Sequence, residues 1–130
     1  MIYTLLVLSS PGSGHGARTA AHFAHATLAR GHRIERIFFL DEGTTTGSQL
    51  AIVPQDEADR LAPWVSLAEE HGVELVLCIA SALKHGVLDE NEAARYDKPA
   101  ASAHPAFVVS GLGQLIDAAA NADRFVTFGG

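Results

Sequence analysis

Short apolar runs alternate along the chain with longer stretches in which apolar residues recur every three or four positions. IYTLLVL, residues 2–8, reads as a strand buried on both faces. The turn cluster SSPGSGHG follows, then ARTAAHFAHATLARG, where Ala17, Ala21, Ala24 and Leu28 share one helical face. Gly31 is a natural stop. RIERIFFLDEG, residues 33–43, reads as the second strand. TTTGSQLAIVPQ has neither period and is long for an inert connection, so a mobile segment or a lid is expected there.

The alternation continues to the end. DEADRLAPWVSLAEEHG reads as a helix with Leu61, Trp64, Val65 and Ala68 on one face. Pro63 requires that the regular helix begin near Leu61 or kink. VELVLCI is the third strand, followed by short helices near Ala80–His85 and Asp89–Tyr96. Asp89 and Glu92 have capping-box spacing. After the linker YDKPAASAHP come a strand in AFVVS, a helix in GLGQLIDAAANA and a strand in DRFVTF. Five strands alternating with helices predict one α/β domain over residues 1–130, with a mostly parallel five-stranded sheet and helices on both faces, a flavodoxin-like layering.

Composition narrows the function classes. Apolar residues make up 48% of the chain and charged residues 18%, which fits a folded core rather than a disordered chain. The net charge is −6 and no basic run occurs, which argues against direct nucleic-acid binding. The apolar start is short and lacks a basic flank, so it reads as a strand and not as a signal peptide or a membrane span. A cytoplasmic protein is expected. One cysteine excludes an internal disulfide and a cysteine-rich zinc site.

That cysteine, Cys78, falls where the third strand meets the next helix. Reactive groups of parallel α/β sheets gather at the carboxyl ends of strands. A helix start there directs backbone N–H groups at the thiol and favours a thiolate. Lys84 and His85, a turn or two later, are candidates to add positive potential. A small buried hydrophobe is the competing reading. The glycine-rich loop 9–19 is a candidate phosphate cradle, but lacks the P-loop ending and the three-glycine fingerprint. His22 and His25 are spaced to meet on one helix face, yet Arg18 projects the same way and no metal motif completes them. Asp41 and Glu42 at the second strand's end read as a solvated acidic end or as ligand-orienting groups.

Four segments, RIFFLDEG, HGVELVLCIASALKHGVLDENEA, SGLGQLIDAA and DRFVTF, occur in an order that resembles the DsrE/TusD-type sulfur-relay family, most closely its TusD-like branch. The resemblance implies a DsrEFH-like fold and a sulfurtransferase. It makes Cys78 the acceptor that carries sulfane sulfur as a persulfide, with no metal, flavin or other cofactor. It implies TusB-like and TusC-like subunits in a heterohexamer, an upstream persulfide donor and a TusE-like acceptor. The end product would be 2-thiouridine at the tRNA wobble position. DsrE relatives work instead in dissimilatory sulfur oxidation. A flavodoxin-like nucleotide- or flavin-binding module is the alternative carried by loop 9–19, and a scaffold subunit with a passive cysteine is another. The loop 43–55 is expected to close over Cys78.

Overall fold

Why five apolar segments form one sheet follows from their sterics. Each is short, β-branched or aromatic-rich, and separated from the next by a helix that forces a parallel crossover. A computed structural model describes residues 1–130. The strands are β1 (Ile2–Val7), β2 (Arg33–Phe39), β3 (Leu75–Cys78), β4 (Phe107–Ser110) and β5 (Arg124–Phe128). The helices are α1 (Gly16–Ala29), α2 (Ala62–Glu69), α3 (Ile79–Lys84), α4 (Glu90–Arg95) and α5 (Gly113–Ala120). The sheet order is β4-β3-β2-β1-β5, and every neighbouring pair is parallel.

From β1 to β4 each connection steps one strand in the same direction. The last connection, through α5, returns across the sheet to place β5 beside β1. Right-handed crossovers running in opposite directions place their helices on opposite faces. The core divides accordingly. Leu5, Val7, Ile37, Phe39, Leu75 and Leu77 join α1 and α2 in a large cluster. Phe38, Val76 and Cys78, one residue out of phase, form a small cluster under Leu115 of α5. The period of two along a strand makes this division.

The large face packs tightly. Ala17, Ala21 and Ala24 are buried as their spacing predicts, Ala20 joins them, Leu28 is only partly buried, and the small side chains let α1 approach the sheet. Trp64 meets Phe39 edge-on with centroids 5.0 Å apart, and Phe39 meets Phe107 at 5.5 Å.

Two features differ from expectation, the end of β2 and the capping box at Asp89. β2 ends at Phe39, and Asp41–Gly47 form a 3-10 helix where the sequence shows no period. Its side chains explain it: Thr44 and Thr45 hydroxyls donate to the carbonyls of Asp41 and Glu42, each 2.7 Å away. α2 starts at Ala62, with Leu61 as its N-cap, as the Pro63 reading allows, and Pro63 falls in its first turn where a missing N–H costs little. Asp59 Oδ1 accepts from the N–H groups of Leu61 and Ala62. The capping box is half made: Asp89 accepts from the Glu92 N–H at 2.8 Å, but the Glu92 carboxylate is buried and its Oε2 has no hydrogen-bond partner.

Candidate functional site

Cys78 is both the last residue of β3 and the N-cap of α3. Its backbone is still extended (φ −60°, ψ 122°), and its side chain makes no capping hydrogen bond. The first N–H groups of a helix lack intrahelical partners, so the thiol stands at the edge of a set of donors. α3 has only six residues, and this influence is confined to its first turn. The strand order puts Ser110, the last residue of β4, directly beside Cys78. Ser81, one turn into α3, accepts a 3.0 Å bond from the Asp41 N–H and ties α3 to the 3-10 helix.

The thiol is only 3% exposed. Apolar side chains surround it: Phe38 and Val76 from the sheet, with Leu6, Leu40 and Leu115 packed on that cluster. No apolar side chain from residues 43–55 is among them. The lid expectation finds no support in that apolar cluster. Gly47 abuts Leu77, which faces the opposite side of the sheet, and Ser48 is bridged to Ala103. On the thiol's face of the sheet, Leu115 of α5 packs on the cluster that holds Cys78, beside Leu6 and Leu40.

Arg36 holds α5 against the sheet. From β2 its Nε donates to Glu74 Oε1 at 2.7 Å and one Nη donates to the Gln114 carbonyl of α5 at 2.8 Å. The same Nη lies 3.5 Å from Asp117 Oδ2. Burial works against the charge of Arg36, but the hydrogen bonds and charges of Glu74 and Asp117 outweigh it and raise its pKa further above its ordinary value. Thr4 adds a second tie, donating to the Ala118 carbonyl at 2.8 Å. Neither tie was legible in the sequence, since each joins residues distant along the chain.

The other candidates separate from the thiol. Lys84 and His85 sit at the far end of α3, about 9 Å along its axis from Cys78 at 1.5 Å per residue. Asp41 adopts φ 53° and opens the 3-10 helix, with its side chain and that of Glu42 exposed. His22 is exposed, while His25 makes a 2.9 Å hydrogen bond with the Pro63 carbonyl and packs on His71, joining α1 to α2. No group of three potential metal ligands occurs.

Loop 9–19 has a structural use for its glycines. A β-carbon at Gly14, where φ is +71°, would collide with the Gly130 carbonyl, and one at Gly16 would collide with Ser9 Oγ and lie 2.7 Å from the Gly129 carbonyl. The switch in strand direction lies between β1 and β5. This is where open α/β sheets usually take ligands. Here residues 129 and 130 occupy it with carbonyl oxygens, which repel a phosphate.

Taken together, the fold and site define a parallel α/β protein with a single shielded thiol at a strand end. Sequence comparison agrees. Residues 1–128 match the DsrE/DsrF-like family, and the chain belongs to it. The sulfurtransferase TusD of Serratia proteamaculans is 46% identical over 98% of this chain and 100% of that protein. A TusD homolog of Pseudomonas aeruginosa is 45% identical over 96% and 95%, and a DsrE-named protein of Allochromatium vinosum is 40% identical over 99% of each. The crystal structure of the ychN protein from E. coli superposes with a TM-score of 0.78 over 98% of this chain and 99% of that one; at 14% identity this likeness is one of fold.

Proposed function

We propose that this chain is a sulfurtransferase of a sulfur relay in which Cys78 takes sulfane sulfur as a persulfide and hands it to a downstream carrier. The observation that carries the reading is the position of the chain's one thiol, at a strand end and a helix N-cap. The names of relatives similar over nearly the whole chain support it. In the forward step the Cys78 thiolate attacks the outer sulfur of a donor persulfide. A new S–S bond forms, the donor S–S bond breaks, and the donor leaves as a thiolate. No net oxidation occurs, so neither metal nor flavin is needed. A second such exchange, with the carrier thiol as nucleophile, empties Cys78.

The apolar shell gives the persulfide a dry store. It also requires an opening before each transfer. The joint before α5 suits that motion: Gly111 and Gly113 flank Leu112, and a β-carbon at either glycine would meet nothing within 4 Å. These glycines are not demanded by packing, and their freedom loosens the joint.

Partner subunits of TusB-like and TusC-like kind are part of the proposal, as are an upstream persulfide donor and a TusE-like acceptor. Val108, Leu112, Ile116 and Phe125 are exposed. Val108 pairs with Val76 and Phe125 with Thr4, which puts both on the α5 side with Cys78. An exposed apolar patch on that face suits a subunit contact. The TusD-like resemblance favours tRNA wobble 2-thiouridine synthesis in the cytoplasm; no helix is long and apolar enough to cross a membrane. The DsrE-named relative favours sulfur oxidation as the second reading. A strain lacking its own TusD-like chain separates the two. Wild type restores tRNA 2-thiouridine and Cys78→Ser does not if the first reading holds; restoration by both, or by neither, overturns it.

A further inference from the structure

The chain has only two lysines, Lys84 and Lys98, and both line one groove. The groove lies beyond the far end of α3 and holds about 600 Å³. Its walls include Leu50, Leu83, Leu88 and Tyr96, and no carboxylate lines it. Neither lysine takes part in an intramolecular ion pair; the chain's four salt bridges all use arginine. In a protein of net charge −6, an apolar trough bordered by two unpaired cations is a local reversal of sign.

We infer that this groove docks an acidic peptide segment of a partner protein, seating an apolar side chain between Lys84 and Lys98. Charge complementarity selects the acidic character: carboxylates flanking the anchor meet the two ammonium groups, and no lining residue repels them. The rim selects a peptide over a small anion. Leu50 is 67% exposed and Tyr96 51%. A ligand confined to the trough leaves these side chains wet, whereas a chain running across it covers them. The backbone of the lining residue Ala100 offers a donor too, since its N–H makes no hydrogen bond within the chain. The groove does not include Cys78, so this docking stands independently of the persulfide reading.

The test is selection of random twelve-residue displayed peptides on the wild-type chain, followed by affinity measurement of the enriched sequences. The expected consensus is a Leu, Phe or Trp flanked by Asp or Glu. Two rim charge pairs lost together weaken binding by about fivefold or more in K84E/K98E, and added salt weakens it in wild type. Tyr96→Ala, an exposed truncation, also weakens it, and Cys78→Ser leaves it unchanged. Four results overturn the inference: no acidic–apolar consensus, affinity indifferent to K84E/K98E, a small organic anion found by native mass spectrometry in the wild type and lost in K84E/K98E, or self-association of the wild type abolished by the same change. The last two assign the groove to a metabolite or to a second copy.

Discussion

Arg36→Met asks whether α5 is the gate over Cys78. The substitution keeps most of the aliphatic stem and removes the guanidinium that joins β2 to α5. The bond to Glu74 stays on the sheet side and does not hold α5. What α5 loses is the 2.8 Å bond to the Gln114 carbonyl and the weaker approach to Asp117 at 3.5 Å. A hydrogen bond involving a charged group contributes about 1.5–3 kcal/mol when well made. Asp117 is largely exposed, so its pairing adds little after solvent screening. Opening of α5 becomes easier by about 1–2 kcal/mol, which multiplies the open population roughly 5–30-fold. The assay is native-state alkylation of Cys78, the chain's one thiol, under conditions where opening precedes labelling in a fast equilibrium. The rate is compared with global stability from urea unfolding of the same variant. Labelling that speeds up by the stated factor while wild type labels well above its global unfolding limit supports a local gate. Labelling unchanged within about twofold in a folded Arg36→Met protein refutes the reasoning, given the expected 1–2 kcal/mol.

Other substitutions test the remaining parts. Gly113→Ala has room for its methyl and stiffens the start of α5, so it raises stability by about 0.5–1 kcal/mol in urea unfolding and slows both Cys78 labelling and sulfur transfer; faster labelling contradicts the gate. Gly14→Ala strains a positive φ and drives a methyl into the Gly130 carbonyl, lowering stability by more than about 1 kcal/mol. A neutral Gly14→Ala would mean that the loop and the final residues do not pack as described. Trp64→Ala empties the aromatic contact with Phe39 and costs about 3–5 kcal/mol, read from the urea midpoint.

Much of the architecture is legible in the residues because period and punctuation agree. The apolar runs at 2–8 and 73–79, each followed by a breaker or a helical face, mark parallel strands without reference to anything distant. The place of Cys78 is legible for the same reason: it follows from where one apolar run stops. Its burial is not. Part of it comes from Leu115 of α5, which packs on the Cys78 cluster only because β4 connects back across the sheet to β5, and no local pattern encodes a strand order. The Arg36 tie spans 78 residues to Gln114 and escapes any window along the chain. The 3-10 helix at 41–47 is set by threonine hydroxyls bonding to carbonyls three residues back, which leaves no apolar period to see. Lys84 and His85 look close to Cys78 in the sequence, yet a helix separates them from it by its whole length. That same separation brings Lys84 into the groove with Lys98.

Persulfide formation on Cys78 is tested most directly by intact-protein mass spectrometry after incubation with a persulfidated sulfurtransferase donor, for wild type and Cys78→Ser. The account predicts a gain of one sulfur atom in wild type, reversed by reductant, and none in Cys78→Ser. No gain in wild type from donors that load another thiol carrier, or an equal gain in both proteins, contradicts it.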